Sequence, residues 1–332
     1  MKNFKKTMII TVSIIGCLIL LGLFTFLYLF YVPDLKQPKL SADIKKATIK
    51  WGNYQRTYLS YVPSSIVESS KPGLIIVLHG SGIDGAKIRQ WTGYEFDQMA
   101  DAHEFIVLYP DGYKSNWNDC RKIAPYPAKK QNIDDVGFIN ALIKKYESDY
   151  GVNPLKVYAF GYSNGGEMAY RIAIEKPHLL NAITAISASL PTPDNFNGSI
   201  DSLATRILMV NGTKDPILPY AGGKIFFFGQ DFGEALSAQT TAGIFARVRG
   251  AVKVKDTIRL LHKNGGTASS VDKQVWMHQG EPVIELYTVN GGGHVVPQQA
   301  AKFPRFMGVV TEDLDAPREA VKFFKLEKVE VH

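Results

Sequence analysis

Val157-Tyr-Ala-Phe-Gly-Tyr-Ser-Asn-Gly-Gly-Glu-Met-Ala-Tyr170 reads as a short apolar strand, a Gly-x-Ser-x-Gly turn and the first turns of a helix. A strand-to-helix turn this tight has no room for side chains beside its backbone, which explains Gly161 and Gly165. Ser163 is left projecting above the sheet edge with a free hydroxyl, the posture of a nucleophile. The string by itself is common, and the strand and helix around it give it meaning.

A serine hydroxyl is a weak nucleophile at neutral pH, so a neutral imidazole must take its proton, and a carboxylate must orient that imidazole. When the serine sits on a strand-to-helix turn, the acid and then the histidine follow it in the chain. Ile207 to Val210 is a strand-like run that empties into Asn211-Gly-Thr-Lys-Asp-Pro216, which puts Asp215 in a loop past a strand end. Val283 to Val289 is another, emptying into Asn290-Gly-Gly-Gly-His294. Three glycines permit a sharp loop that carries an imidazole over the sheet edge. Ser163, Asp215 and His294 are the expected catalytic residues. His262, His278 and His332 also follow Asp215, but no glycine loop delivers them from a strand. Asp215 before Pro216 also suits a plain turn opener.

Leu74-Ile-Ile-Val-Leu-His-Gly-Ser-Gly82 is an apolar strand ending in a small-residue loop. It is the expected source of one backbone oxyanion donor, Ser81 or Gly82, with the N–H of Asn164 as the other. The His79 side chain reads as structural. Trp117 and Tyr162 are candidate substrate-binding aromatics, with packing under its loop an equal reading for Trp117, and Phe226-Phe227-Phe228 reads either as a pocket wall or, preferably, as core. Asp134 and Asp135 open a helical pattern over Val136–Tyr150, where capping and the helix dipole account for them.

The ordered set His79-Gly-Ser-Gly82, Trp117-Asn118, Asp134-Asp-Val-Gly-Phe138, Gly161-Tyr-Ser-Asn-Gly-Gly166, Asn211-Gly-Thr-Lys-Asp-Pro216 and Gly291-Gly-Gly-His294 resembles the poly(3-hydroxybutyrate) depolymerase and feruloyl esterase-like carboxylesterases. The likeness spans roughly residues 45 to 326. It implies an alpha/beta-hydrolase fold and a serine esterase cleaving polyhydroxyalkanoate-, feruloyl- or acetyl-ester-like bonds without a cofactor. Many of those proteins carry a cysteine at the Ser81 position and further cysteine pairs; here only Cys17 and Cys120 occur. With no appended binding module expected, soluble esters are favoured over solid polyester. The same residues would equally serve a serine peptidase or an acyltransferase of this fold. A non-catalytic surface-binding shell is the reading from another class.

At 332 residues and 45% apolar composition the chain can bury a large core. Strand-like runs at Leu74, Phe105, Val157, Ala182, Ile207 and Val283 alternate with helical patterns at Ala86–Ala102, Val136–Tyr150, Ser163–Glu175 and Asp313–Phe324. That alternation predicts a mostly parallel central sheet flanked by helices, with an antiparallel hairpin from Thr48–Trp51 and Thr57–Val62 at its edge. The 78 residues between Asp215 and His294 exceed one crossover, so part of Gly222–Ala251 is expected as a flap over the site.

Lys2, Lys5 and Lys6 precede Met8–Val32, a stretch of 25 uncharged residues, which at 1.5 Å per residue is ~37 Å of helix. That exceeds a signal-peptide core and predicts a transmembrane signal anchor over residues 1–32, followed by a linker at 33–43 and a catalytic domain at 44–332. The lysines place the N-terminus in the cytoplasm and the domain outside. The rival is a secreted or lipid-anchored form, since Ile14-Ile-Gly-Cys17 resembles a lipobox. Without the three N-terminal lysines the formal charge of +7 falls to +4. No basic cluster with interleaved aromatics points to nucleic acid, and no His or Cys pattern points to a metal. The expected partners are therefore an ester, small or polymeric, and the membrane.

Overall fold

The computed structural model describes residues 2–67, 70–262 and 269–327. The chain begins with helix α1 (Lys2–Phe30) and the hairpin β1 (Lys45–Trp51) and β2 (Tyr54–Tyr61). Then come β3 (Gly73–Leu78), α2 (Gly85–Trp91), α3 (Glu95–His103), β4 (Phe105–Pro110), α4 (Pro127–Lys130), α5 (Asp135–Tyr150), β5 (Val157–Tyr162), α6 (Asn164–Glu175), β6 (Ala182–Ile186) and β7 (Arg206–Gly212). A small hairpin, β8 (Gly223–Phe227) and β9 (Gln230–Ala235), precedes α7 (Ala238–Arg249). The chain closes with β10 (Val252–Lys253), β11 (Ile258–Arg259), β12 (Ser270–His278), β13 (Glu281–Asn290) and α8 (Ala316–Phe324).

One 11-stranded sheet runs β1-β2-β4-β3-β5-β6-β7-β13-β12-β10, with β11 also paired to β12. Its centre, from β4 to β13, is parallel, and the strands outside it pair antiparallel. The parallel strands β3, β4 and β5 are apolar along their whole length because helices cover both faces, while β7 and β13 carry polar residues such as Arg206 and Glu285. Along β3 the pleat sends Leu74, Ile76 and Leu78 to the face carrying α5, α6 and α7, and Ile75 and Val77 to the face carrying α2, α3 and α8. Parallel pairing stacks the C-terminal ends of β3, β5, β7 and β13 along one edge, so the loops holding Ser81, Ser163, Asp215 and His294 gather there.

Two expectations are corrected. The single helix over Ala86–Ala102 is two, α2 and α3, because Gly93 (φ 70°) and Tyr94 (φ 59°) turn left-handed between them. Arg89 and Asp97 join the pieces through a buried pair at 2.6 Å, and the bend lets Trp91 pack against Phe303 and Tyr162. The segment 33–43 does not hold the domain away from its anchor; it lies strapped along α2 and α3. Gln37 accepts from Arg89 at 2.9 Å, the Leu35 carbonyl from Tyr94 at 3.2 Å, and Ser41 bonds to Asp101 through both its backbone N–H and its hydroxyl. The flap expected in part of Gly222–Ala251 is the β8–β9 hairpin, which stands over the site edge, while α7 packs Phe245 into the core.

Asp134 caps α5, accepting from the Gly137 N–H at 2.8 Å, as its position suggested. Asp135 does more than complement the dipole: fully buried, it pairs with Arg56 at 2.8 Å and accepts from the Asn118 N–H at 2.7 Å. Cys120 is buried beside Asp119, and burial pushes its thiol well up, which keeps it protonated and away from any second chain. Cys17 is exposed on α1.

Candidate active site

Ser163 occupies the turn between β5 and α6 at φ 53°, ψ −123°, a conformation rarely adopted by a residue with a side chain. Close packing holds it there. A Cβ on Gly161 would lie 2.2 Å from the Gly165 carbonyl oxygen, and one on Gly165 would lie 2.2 Å from that of Leu78. The Ser163 N–H donates to the Ile186 carbonyl at 2.8 Å, tying the turn to β6.

Asp215 and His294 meet Ser163 in a continuous relay. The His294 Nδ1 lies 2.7 Å from Asp215 Oδ2, and its Nε2 lies 2.9 Å from Ser163 Oγ. A carboxylate only accepts, so Nδ1 carries the proton and Nε2 is free to accept from the serine. The other Asp215 oxygen accepts from the N–H groups of Ile217 and Leu218, both at 2.8 Å, so the carboxylate cannot rotate away. The His294 backbone is fixed from both sides: its N–H donates to the Met307 carbonyl at 2.7 Å, and its carbonyl accepts from Tyr162 Oη at 2.8 Å. Gly293 is required by this fit, because a Cβ there would lie 2.1 Å from the Met307 oxygen. The other histidines after Asp215 sit elsewhere: His262 pairs with Asp313 and His278 with the Gly250 carbonyl. His332 lies outside the described residues.

Two of the expected oxyanion donors keep their place and one does not. Asn164 is the first residue of α6, where a backbone N–H has no partner inside its own helix. Ser81 follows β3 and lines the same cavity as Ser163. Gly82 is removed from the set because its N–H already donates to the Ser115 carbonyl at 2.9 Å. The Asn164 side chain is clamped, accepting from the Trp117 N–H at 2.7 Å and donating to Asp119 at 2.6 Å.

Trp117, expected beside the substrate, is fully buried, with its indole N–H donating to the His79 carbonyl at 2.9 Å; it supports the loop from beneath. His79 is structural, as read from sequence. Its Nε2 accepts from the Gly112 N–H at 2.8 Å while Nδ1 faces the Gly80 carbonyl at 2.7 Å, an arrangement only the neutral ring satisfies. Burial lowers its pKa accordingly. Tyr162 lines the cavity as expected. The phenylalanine run reverses the preferred reading: Phe226 and Phe228 are 58% and 71% exposed, and Phe227 and Phe228 form cavity wall rather than core.

That cavity, about 260 Å³, opens over Ser163 and His294 between the β8–β9 flap and the Pro304–Met307 segment. Its floor carries a charged cluster that sequence reasoning missed. Arg121 pairs with Asp119 at 2.5 Å and with Glu167 at 2.6 Å, all three buried. One cation between two carboxylates leaves one of them to hold a proton. Burial pushes Glu167 up to about 8, whereas Asp119 is held below the usual range by the Arg121 guanidinium despite its burial. Glu167 therefore keeps at neutral pH a proton that the unfolded chain, with a carboxyl near 4.5, releases. Its contribution to stability is complete below about 4.5 and is lost as pH rises through about 8. Glu167→Gln is expected to lose less melting temperature than wild type between pH 6 and pH 9, as read by thermal denaturation at both values. An equal loss in the two proteins would place the proton elsewhere.

The relation to known proteins agrees with this architecture. The phospholipase/carboxylesterase family matches residues 64–228, which include Ser163 and Asp215. A putative esterase, NocK, from Nocardia uniformis subsp. tsuyamanensis is 27% identical over 258 residues, 75% of this chain and 73% of that one. The chain is an esterase of the α/β-hydrolase fold. Feruloyl esterase C of Emericella nidulans is 28% identical to this esterase over 194 residues, covering 57% of the chain and 63% of that relative's length. Among solved structures, the acetyl xylan esterase from Aspergillus awamori superposes with a TM-score of 0.56 at 17% identity, over 86% of this esterase and 100% of its own chain. At that identity the likeness is one of fold.

Proposed function

We propose that this esterase cleaves carboxylic esters of the feruloyl, acetyl or polyhydroxyalkanoate kind through an acyl-enzyme on Ser163. The reading is carried by the relay Asp215–His294–Ser163, with bonds of 2.7 and 2.9 Å opening into one cavity. As Ser163 Oγ attacks the ester carbonyl, its proton passes to His294 Nε2, and Asp215 steadies the imidazolium. The backbone N–H groups of Asn164 and Ser81 hold the oxyanion, an interaction worth about 3–4 kcal/mol per donor. Collapse expels the alcohol with the His294 proton; water then repeats the steps and releases the free acid. No step calls on a cofactor.

The proposal includes a place for the enzyme. Lys6–Phe30 has a mean hydropathy of 2.6, is long enough to cross a bilayer, and buries none of its most apolar stretch in the domain, which it meets only at its C-terminal end. It serves as a signal anchor with the catalytic domain on the extracytoplasmic side. This makes residues 1–32 the anchor and 44–332 the catalytic domain, with 33–43 as the strap between them.

A fluorophosphonate, which phosphonylates activated serines, tests the chemistry on the detergent-solubilised full chain. Mass spectrometry is expected to find the adduct on the peptide bearing Ser163, with p-nitrophenyl acetate turnover lost in step with labelling. A turnover that survives complete labelling would overturn the mechanism. Across p-nitrophenyl esters from acetate to octanoate, with methyl ferulate alongside, the cavity of about 260 Å³ favours the smaller acyl groups.

A further inference from the structure

The anchor helix ends on the rim of the active-site cavity. Phe30, the last residue of α1, packs its ring 4.7 Å from Phe306 and 6.4 Å from Phe228. Both partners line the cavity that contains Ser163 and His294. Two residues back on α1, the Tyr28 carbonyl accepts from Arg305 at 2.9 Å, and the same guanidinium lies 4.5 Å from the Tyr28 ring centre. The strap that follows is bonded along α2 and α3, so the domain is held to the helix end at two places.

The level of the membrane surface follows from helix length. Twenty-five residues, Lys6–Phe30, make ~37 Å of helix against a hydrocarbon core of ~30 Å, so Tyr28 and Phe30 emerge in the headgroup layer. Whatever touches Phe30 shares that layer. The surface beside it has the composition an interface selects: Phe226 and Phe228 are 58% and 71% exposed and Val309 is 42% exposed, with the exposed Lys302 and Arg305 beside them, while Lys224 on the flap is paired to Asp231 at 3.0 Å. Exposed aromatics ringed by long basic side chains suit the boundary between acyl chains and anionic headgroups.

We infer that the mouth of the active-site cavity is seated in the membrane surface, so that the enzyme takes short-acyl esters whose long alcohol chains are dissolved in the bilayer that anchors it. An amphiphile reaches Ser163 from the acyl layer, without crossing water, once the contact between Phe228 and Phe306, 6.1 Å between ring centres, parts. The β8–β9 flap, with Phe227 and Phe228 at its tip, then lies between lipid and site. The inference rests on the esterase and anchor readings above and adds the source of the substrate and the orientation of the domain, which can be read without any chemistry.

The test uses the full chain in vesicles of phosphatidylcholine and phosphatidylglycerol. In a Cys17→Ala background, Phe226→Cys and Leu155→Cys are each labelled with a bimane dye, and quenching by doxyl-labelled lipid is measured. Cys120 is buried and escapes the label. Leu155 is 73% exposed at the opposite end of the sheet, just before β5. Quenching several-fold stronger at position 226 than at 155 is expected; equal quenching at the two would overturn the orientation, whatever the catalytic result. A second arm undocks the domain with Phe30→Ser, Arg305→Ser and a Gly/Ser spacer of about a dozen residues after Val32. Turnover of a short-acyl ester of a long-chain alcohol, dissolved in the vesicles, is expected to fall at least tenfold while p-nitrophenyl acetate turnover is kept. An unchanged rate on the dissolved ester would overturn the bilayer as substrate source. Absence of acetate turnover in the parent protein would instead strike at the esterase mechanism and leave the quenching result standing.

Discussion

Ester turnover is expected to fall by about 10⁴–10⁶-fold in kcat when Ser163 is replaced by alanine, with the fold intact. The size of the loss follows from the relay. Without Oγ there is nothing for His294 Nε2 to activate and no covalent intermediate to form, so only binding and the backbone donors of Asn164 and Ser81 remain. The fold is spared because what holds the turn is backbone: the Ser163 N–H on the Ile186 carbonyl, and the Gly161 and Gly165 contacts. The measurement is p-nitrophenyl acetate hydrolysis by both full-length proteins at matched concentration, with circular dichroism melting on each. A variant retaining a tenth of the activity would overturn the role given to Ser163. Asp215→Asn is the informative companion. An amide N–H facing Nδ1 favours the tautomer with its proton on Nε2, which cannot accept from Ser163, so about 10⁴-fold is expected there as well. Buried carboxamide and carboxylate fill the same space, so its melting point is expected to stay close to that of the parent.

Most of the fold and the relay were legible in the sequence because each piece is a local pattern. A strand-turn-helix around Ser163, a strand emptying into the Asp215 loop and a strand emptying into three glycines before His294 each lie within about a dozen residues. Parallel pairing then brings their ends together without further instruction. The cavity wall had no such signature. Arg121 and Tyr126 come from an irregular loop, Phe232 from a two-stranded flap, and Phe306 from a single short turn; only the tertiary fold gathers them. Glu167 sits on the buried face of α6, where a carboxylate has no reason to be until Arg121 is known to lie opposite. Strand β12 escaped because its buried Val271 and Trp276 are separated by Asp272, Lys273, Gln274 and Val275, a spacing of five that does not fit a two-residue period, and a register shift follows at Trp276/Met277. Trp117 shows the reverse error: an aromatic in a loop looks like a binding residue until its N–H is seen to satisfy the His79 carbonyl. The strap likewise resembled a linker in composition, and its docking depends on Arg89 and Asp101, more than 50 residues away.

Arg121→Ala is expected to be the most damaging change outside the relay, in stability first and in activity as a consequence. Asp119 and Glu167 are buried against this one guanidinium, at 2.5 and 2.6 Å. Removing the cation leaves Asp119 ionised in a buried site supported by the Asn164 amide, the Arg121 backbone N–H, the Glu167 carboxyl and the nearby Lys129 but by no paired guanidinium. Breaking a buried pair in this way costs about 3–5 kcal/mol, and at about 2–4 °C per kcal/mol for a domain of this size the melting point is expected to drop by roughly 6–20 °C. The effect on rate travels through Asn164. Its side chain is held between the Trp117 backbone and Asp119, and its own N–H is one of the two proposed oxyanion donors. A carboxylate that shifts or takes up a proton loosens that clamp, so kcat on p-nitrophenyl acetate is expected to fall by up to about 10²-fold, within the loss seen when one oxyanion donor is removed. The triple variant Arg121→Met, Asp119→Asn, Glu167→Gln separates charge from shape. It removes the Arg121 and Asp119 charges together along with the Glu167 proton site, keeps an acceptor oxygen for the Asn164 amide, and is expected to recover most of the melting temperature, since neutral replacement of a whole buried ion cluster costs little. If Arg121→Ala melts within about 2 °C of wild type, the cluster is not the keystone of the cavity floor. If the triple variant melts as low as the single one, the loss comes from the packing of the Arg121 stem against Tyr126 and Phe232 rather than from unpaired charge.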